Sequence, residues 1–265
     1  MSKAPPRILA IAGSDSSGGA GIQADIKTIT MLGGFAMTAI TAVTAQNTTG
    51  VQAVESLSPA LVGAQIDSCL SDIGADAVKI GMLGSPEIAE LVAERLAGLA
   101  IPIVFDPVMV ATSGSLLADA ATISGFERLM ALADLVTPNL PELAALTDLP
   151  VATPDEIAEA AVALSRRHGC AVLAKGGHLE GAKIRDLLVE HGGRAVSFTD
   201  PRIDTRHTHG TGCTLSSAIA TLLGHGQSLE HAVRLSRQFV REALLNAPGF
   251  GSGSGPLGHQ AVRRT

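Results

Sequence analysis

The chain has 265 residues, of which 46% are hydrophobic and 17% are charged, and this composition excludes a disordered or fibrous protein. Lysine and arginine number 19 against 25 acidic residues, so the net charge of -6 offers no basic surface to a nucleic-acid backbone. No Trp or Tyr is present on which bases could stack, and we predict no nucleic-acid partner.

Hydrophobic periodicity predicts alternating strands and helices in the first half of the chain. An apolar run from Arg7 to Ala12 predicts a first strand, which leads into a glycine-rich loop and a helix. A second strand, a second helix and a short buried strand follow. The predicted elements are strand 7–12, loop 13–21, a helix containing Ile22, Ile26 and Ile29, strand 35–45, a helix containing Leu61, Ile66, Leu70 and Ile73, and strand 77–80.

In the second half, capping residues indicate where helices begin. Ser85, followed by a proline, predicts one helix start, and the capping box from Thr153 to Glu156 predicts another helix that ends near Gly169. A hairpin, a glycine turn and two more helices follow. The predicted elements are strand 101–105, a strand at 135–137, strand 171–174, hairpin strands 184–189 and 194–198, helices 213–223 and 228–245, and an irregular tail 249–258.

This alternation predicts one α/β domain over residues 1–265, with a mostly parallel central sheet and helices on both faces. In such sheets ligands bind at the carboxyl ends of the strands, where most of the glycine loops fall. The three cysteines are far apart and odd in number, which favours a reducing compartment over a disulfide framework. Because the pattern also contains no export signal or membrane span, we predict a cytoplasmic protein without a membrane partner.

The loop Gly210-Thr211-Gly212 stands where a glycine turn opens a predicted helix. Glycines allow backbone amides to approach an anion, and the positive end of the helix dipole faces the same point. This predicts a cradle for an oxyanion or a phosphate. The same field lowers a thiol pKa, so one interpretation of Cys213 is a thiolate base or nucleophile. The alternative is a tight turn beside a small buried cysteine.

A second glycine loop, Gly18 to Gly21, is followed one helical turn later by Asp25. The glycines would bring backbone close to a ligand, and the carboxylate of Asp25 would accept hydrogen bonds from a ring. The alternative is a flexible strand-to-helix turn, with Asp25 near the helix start because the dipole favours an acid there.

Two acidic residues and a lysine also come directly or shortly after predicted strands: Asp106, Glu142 and Lys175. Carboxylates in this position suit Mg²⁺, which takes one or two of them together with water and substrate phosphates. A lysine before two glycines at a strand end can reach a phosphate. The alternatives are two helix caps and a surface lysine.

Taken in order, these motifs resemble those of the hydroxymethylpyrimidine and phosphomethylpyrimidine kinases of thiamine biosynthesis, within the ribokinase-like superfamily. The resemblance runs nearly end to end and implies a ribokinase-like three-layer sandwich. The segments that carry it are 11–15 with 18–25, Ala45-Gln46-Asn47-Thr48, Lys79-Ile80-Gly81-Met82-Leu83, Asp106-Pro107-Val108-Met109, 137–142, Lys175-Gly176-Gly177-His178, 208–214, and Gly255-Pro256 with His259.

The resemblance implies a bifunctional kinase that moves the γ-phosphate of ATP to 4-amino-5-hydroxymethyl-2-methylpyrimidine and then converts the monophosphate to the diphosphate. It also implies Mg²⁺ as cofactor and a homodimer. The chain departs from the family pattern at His207, where many relatives have Asn, and at Arg237, where Lys is common. The implied site residues are Cys213, Lys175, Gly210 and Gly212 for catalysis; Gly13, Ala20, Asp25, Gln46, Met82 and Val108 for the pyrimidine; Lys175, Thr208, Thr211 and Arg237 for the nucleotide; and Glu142 and Asp106 for the metal.

Three other functions fit parts of the same pattern. A pyridoxal kinase uses a similar Gly-Thr-Gly-Cys loop and would differ in its relative turnover of the two substrates. A Cys-His hydrolase with Cys213 as nucleophile would pair it with His209 or His178 and release product in a burst without ATP. A pyrimidine-binding regulator would bind ligand without ATP turnover.

Overall fold

Nine strands form one continuous sheet within the part of the chain that the structure describes. The computed structural model of the protein describes residues 4–110, 117 and 118, 120–178 and 181–262. In chain order the strands are β1 (Arg7–Asp15), β2 (Phe35–Asn47), β3 (Gly50–Ser56), β4 (Ala77–Ile80), β5 (Ile103–Phe105), β6 (Leu135–Val136), β7 (Ala171–Ala174), β8 (Lys183–Val189) and β9 (Ala195–Pro201).

The order of the strands across the sheet is β3-β2-β1-β4-β5-β6-β7-β8-β9. The six central strands, from β2 to β7, pair in parallel, whereas β3, β8 and β9 join the two edges antiparallel. The predicted α/β class and mostly parallel sheet are therefore confirmed. The carboxyl ends of the central strands all meet at one edge of the sheet, where the fold predicts a ligand site.

Helices cover both faces of the sheet. The described helices are α1 (Gly21–Met31), α2 (Pro59–Asp72), α3 (Pro86–Leu96), α4 (Ala120–Leu132), α5 (Leu140–Thr147), α6 (Pro154–His168), α7 (Thr211–Gly224) and α8 (Leu229–Leu245). None of the helices in these described ranges is long and apolar enough to cross a bilayer.

The strand β1 shows why the sheet has two buried faces. Successive side chains of a strand point to opposite faces, and every residue from Ile8 to Ala12 is buried. Leu9 and Ile11 pack in the core that contains residues of α2 to α6, while Ile8 and Ala10 pack in the core under α1, α7 and α8. This is the pattern of a parallel strand covered on both sides.

Local sequence signals account for several helix ends. Ser85 accepts a hydrogen bond from the amide of Ile88 at the start of α3, and Thr153 completes a capping box at the start of α6. Gly169 ends α6 with a φ of 71° in the left-handed region, which favours glycine. These three ends lie where the sequence predicts them.

Other elements differ from the sequence prediction. The strand β3 was not predicted because most of its side chains are exposed, so it has no alternating pattern and depends on its pairing with β2. The strand β5 begins at Ile103 rather than at residue 101, since Pro102 has no amide hydrogen to contribute to the ladder. The helix α7 begins at Thr211, two residues earlier than predicted.

Candidate active site

A cavity of about 660 Å³ opens at the carboxyl ends of the parallel strands. The loops after β5, β6 and β7 line it together with the end of β1 and the first turn of α7. All of the predicted site residues except Asp25 line this cavity: Gly13, Ala20, Gln46, Met82, Asp106, Val108, Glu142, Lys175, Thr208, Gly210, Thr211, Gly212, Cys213 and Arg237. One cavity thus brings together residues from the whole length of the chain.

The residues predicted to contact the pyrimidine include one close packing contact. A Cβ at Gly13 would lie 2.3 Å from Cε of Met82, so a larger residue at this position would displace the end of that side chain. The hydroxyl of Thr44 lies 3.0 Å from the carbonyl oxygen of Ser14 and 3.1 Å from Oε1 of Gln46, so the two acceptors share its one proton. The backbone of Gln46 exchanges two hydrogen bonds with Ser16, each of 2.8 Å. The backbone of Gln46 is therefore held in a defined position at the cavity wall.

The first turn of α7 is the place where the sequence predicts an anion cradle. Gly210 is the N-cap residue and has a φ of 85°, which a residue with a side chain rarely adopts. A Cβ at Gly212 would lie 3.3 Å from Oδ2 of Asp106 and 3.4 Å from Nζ of Lys175. The amino end of the helix, where the positive end of its dipole lies, is thus directly beside the partly buried lysine and the buried carboxylate.

Lys175 stands between two carboxylates. Its Nζ lies 2.7 Å from Oδ1 of Asp106 and 4.0 Å from Oε2 of Glu142. The hydroxyl of Thr137 donates to the same Oδ1 of Asp106 over 2.9 Å. Burial lowers the pKa of Lys175, but the two carboxylates outweigh burial and hold the pKa above its ordinary value. Lys175 is therefore a permanent cation inside the cavity.

Glu142 is positioned by the start of α5. Its Oε2 accepts a hydrogen bond of 2.7 Å from the amide of Asn139, whose side chain accepts in turn from the amide of Glu142. Burial raises the pKa of Glu142 to about 7, with Lys175 opposing the shift and Asp106 reinforcing it. A second cation at this point would favour the charged form of the carboxylate.

The carboxylates of Asp106 and Glu142 fit a magnesium ion. No cluster of three or more ligating side chains occurs in the described part of the chain. Mg²⁺ does not need one, because it takes one or two carboxylates and completes its octahedron with water and phosphate oxygens. Burial raises the pKa of Glu142 and the nearby Asp106 adds to the rise, so a divalent cation held by the two carboxylates would favour their charged forms.

The predicted lowering of the Cys213 thiol pKa is wrong. Burial raises the pKa of Cys213 to about 11, and the positive charge of Lys79 opposes this shift only in part. The negative charges of Asp25 and Asp106 reinforce it. The favourable amides at the helix start do not compensate for removal of the sulfur from water. At neutral pH the group is a neutral thiol, which can donate a hydrogen bond.

Asp25 does not line the cavity, in contrast to the predicted pyrimidine contact. Its carboxylate is fully buried, and both oxygens lie 2.9 Å from Nζ of Lys79. The hydroxyl of Ser217 donates to Oδ1 over 2.6 Å. These partners occupy the carboxylate, so Asp25 links α1 to β4 and α7, and its contact with a pyrimidine stays a prediction. No sequence motif signalled Lys79 as its partner.

Arg237, the departure from lysine, lines the cavity but is tied to two aspartates. Its guanidinium pairs with Asp186 on β8 and donates to Oδ2 of Asp200 on β9 over 2.5 Å. Burial lowers the pKa of Arg237 to about 10. Asp186 also accepts the amide hydrogen of Gly176 over 2.8 Å, so Arg237 is connected to the loop that carries Lys175. Its contact with a nucleotide phosphate stays a prediction.

Sequence reasoning assigned no role to Asp15, and it named His209 only as the partner of a nucleophilic cysteine. In the structure both residues are buried, both line the cavity, and they pair with each other. The available signal was position: Asp15 follows Gly13 in the first motif, and His209 directly precedes Gly210. Nothing in the spacing showed that the two segments meet.

The family model for phosphomethylpyrimidine kinase matches residues 15–258. The chain belongs to this family. The hydroxymethylpyrimidine/phosphomethylpyrimidine kinase of Streptomyces coelicolor is 48% identical over 256 residues, which cover 96% of this chain and 94% of the relative. The thiamine biosynthesis multifunctional protein ThiED of Corynebacterium glutamicum is 43% identical over 270 residues. That alignment covers 100% of this chain and 35% of the longer relative.

Solved structures agree with membership of the phosphomethylpyrimidine kinase family. The phosphomethylpyrimidine kinase of Clostridium difficile 630 superposes with a TM-score of 0.79 at 40% identity, covering 90% of this chain and 99% of that one. The pyridoxal kinase of Staphylococcus aureus in complex with AMP-PCP and pyridoxal has a TM-score of 0.89 at 32% identity and covers 98% and 95% of the two chains. The predicted family, fold and kinase class are confirmed.

Proposed function

We propose that this chain transfers the γ-phosphate of ATP to the 5-hydroxymethyl group of 4-amino-5-hydroxymethyl-2-methylpyrimidine, and then phosphorylates the monophosphate to the diphosphate. The observation that carries the proposal is the meeting of Lys175, Asp106 and the glycine-built start of α7 in one cavity. Family membership supports the substrate, because relatives at 41–48% identity are hydroxymethylpyrimidine/phosphomethylpyrimidine kinases.

Phosphoryl transfer depends mainly on positioning and on neutralising charge, and the cavity supplies both. The ammonium group of Lys175 would bind oxygens of the transferring phosphoryl group. The amides of Gly212 and Cys213 at the start of α7 would donate to the same oxygens. Mg²⁺, when bound, supplies further positive charge, and Glu142 and Asp106 are the residues that would hold it.

The acceptor hydroxyl must lose its proton during the transfer. A loose transition state requires little assistance from a base, and the thiol of Cys213 is neutral at neutral pH. We therefore assign Cys213 a role as a wall of the cavity and a hydrogen-bonding partner of the acceptor, through which the proton can pass. The sequence left this role open as the alternative to a thiolate base made by the helix dipole.

The opposite part of the cavity wall would bind the pyrimidine ring. Gln46 carries both an amide donor and an amide acceptor, which suit an aminopyrimidine edge. Gly13 and Met82, with Ala20 and Val108, would pack against the ring faces and its methyl group. The cavity volume of about 660 Å³ lies within the ~300–1,000 Å³ usual for small-molecule sites.

A product assay by mass spectrometry tests the function. Purified protein with Mg-ATP and the hydroxymethylpyrimidine should yield a monophosphate and then a diphosphate. Lys175→Met should form both products about 10²- to 10³-fold more slowly, while Lys183→Met, which changes an exposed lysine on β8, should leave both at the wild-type rate. Formation of neither product by the wild-type protein would refute the proposal.

Pyridoxal kinase is the second candidate, because the Staphylococcus aureus enzyme crystallised with pyridoxal superposes at a TM-score of 0.89. Pyridoxal in a parallel reaction distinguishes the two functions: phosphate transfer to pyridoxal alone would assign the second. The Cys-His hydrolase gains no support, since burial raises the pKa of the Cys213 thiol to about 11 and keeps the proposed nucleophile neutral.

Three further proposals concern the whole protein. We propose that residues 1–265 act as one kinase domain, that the protein is a homodimer and that it works in the cytoplasm. Cys69, Cys170 and Cys213 are free thiols, which supports a reducing compartment. Light scattering during size-exclusion chromatography gives the mass of the protein in solution. A mass of about twice that of one chain is expected, and the mass of a single chain would overturn the homodimer.

A further inference from the structure

Two loops meet at the edge of the cavity: Gly18–Ala20, which follows β1, and Thr208–Gly210, which precedes α7. A Cβ at Gly19 would lie 2.4 Å from Cδ2 of His209. A Cβ at Gly210 would lie 1.9 Å from the carbonyl oxygen of Gly19. The loops are therefore in direct contact, and no side chain fits between them.

Asp15 ties the first loop together and reaches the second. Its Oδ2 accepts hydrogen bonds from the amides of Gly19 at 3.1 Å and Ala20 at 2.8 Å. The same oxygen lies 2.8 Å from Nε2 of His209. Burial raises the pKa of Asp15, but the hydrogen bonds from His209 and Ser17 outweigh burial and hold the pKa below its ordinary value. Asp15 is thus a charged, buried acceptor at neutral pH.

The segment after α8 also fixes the backbone of His209. Its amide donates to the carbonyl oxygen of Gly255 over 3.1 Å, and a β-bridge joins it to Pro256. The side chain is only 6% exposed. The tail after α8 therefore fixes the backbone of His209 while Asp15 fixes the ring, and Gly210 continues directly into the anion cradle.

We propose that Asp15 and His209 are positioning residues that keep the loop beside the pyrimidine in register with the amides beside the transferring phosphate. The inference rests on the proposed function. Phosphoryl transfer needs the acceptor oxygen in line with the phosphorus, and a misplacement of ~1 Å costs a rate factor on the order of 10². Ala20 lines the acceptor side of the contact and Gly210 begins the phosphate side, so this hydrogen bond sets the spacing between the reactants.

Two polar substitutions of His209 separate positioning from simple stability. The side-chain amide of His209→Gln reaches the place of Nε2 and can still donate to Asp15, whereas that of His209→Asn is too short. The control is His225→Asn, which removes a similar bond of 3.0 Å from Nε2 to the carbonyl oxygen of Leu32, at the other end of α7. All three full-length variants are compared with the wild-type protein.

Two quantities are measured for each variant: kcat, and the ratio of ADP released to phosphopyrimidine formed. His209→Asn should lower kcat by about 10- to 100-fold, from the loss of a charge-assisted hydrogen bond, with the KM for ATP nearly unchanged. It should also release more ADP than phosphopyrimidine, because water replaces a misplaced acceptor. His209→Gln should recover most of the rate, and His225→Asn should match the wild-type protein in both readouts.

The possible results separate this inference from the proposed function. A wild-type protein that does not phosphorylate the hydroxymethylpyrimidine would refute the function itself. An active wild-type protein with equal kcat and equal coupling in His209→Asn would overturn the positioning role. If His209→Asn does not fold, Asp15→Asn, which takes the charged acceptor from the same hydrogen bond, replaces it: a lower kcat with excess ADP release supports the role, and an equal kcat with equal coupling contradicts it.

Discussion

Replacement of Lys79 by methionine tests the buried ion pair beneath the cavity. Lys79 and Asp25 have fully buried side chains, and Nζ of Lys79 lies 2.9 Å from both carboxylate oxygens. Lys79→Met keeps most of the apolar stem but leaves a buried carboxylate whose hydrogen bond from Ser217 cannot balance its charge. Removal of one partner of such a pair costs about 3–5 kcal/mol of the free energy of unfolding. For a chain of this size the midpoint of thermal unfolding should fall by roughly 6–20 °C.

The loss of stability in Lys79→Met should depend on pH. Burial already raises the pKa of Asp25 while Lys79 opposes the shift, so the substitution raises that pKa further. A carboxyl group whose pKa is higher in the folded state than in the unfolded state destabilises the fold as pH rises from about 4 through the folded pKa. The variant should therefore be closest to the wild-type protein in mild acid and furthest from it at neutral pH.

Urea unfolding across this pH range gives the measurement. Lys183→Met, at an exposed position of β8, is the matched control and should change stability by less than about 0.5 kcal/mol. The double variant Asp25→Asn with Lys79→Met should recover much of the loss, because no unpaired charge stays buried. A loss below about 1 kcal/mol in Lys79→Met, or additive losses in the double variant, would refute the reasoning.

Three further predictions concern the cavity. Lys175→Met should lower kcat about 10²- to 10³-fold with little change in the KM for the pyrimidine, and a change in that KM alone would contradict its role. The Mg²⁺ affinity, measured by activity titration, should rise as pH increases through about 7, where Glu142 loses its proton, and Glu142→Gln should remove this rise. Equal pH dependence in both proteins would be the contrary result. Gly210→Ala should abolish nucleotide binding measured by calorimetry, because its Cβ would lie 1.9 Å from the Gly19 carbonyl oxygen, whereas Gly226→Ala, with a similar φ of 84° in open space, should bind normally.

The sequence alone predicts most of the local structure. Periodicity and capping predict α3, α6 and the hairpin of β8 and β9, because those signals lie within a few neighbouring residues. The location of the site follows from the alternation of strands and helices, since parallel strands place their carboxyl ends at one edge. The strand β3 was missed because its exposed residues carry no hydrophobic pattern.

The electrostatics of the site could not be predicted in the same way. Asp25 and Lys79 are 54 residues apart, and Asp15 and His209 are 194 residues apart, so their pairing depends on the whole fold. The thiol pKa of Cys213 was predicted from one local effect, the helix dipole. Burial by distant elements has the larger effect and the opposite sign.

The capping box at the start of α5 shows that one residue can serve two purposes. Asn139 and Glu142 form the Asn-x-x-Glu capping box that stabilises the first turn of α5. The same Glu142 carboxylate lies 4.0 Å from Nζ of Lys175 in the cavity. A mutation of Glu142 affects both the stability of the short helix α5 and the chemistry of the cavity. A substitution of Glu142 therefore changes the start of α5 and the charge of the cavity together, and a capping signal in the sequence coincides with a residue of the candidate active site.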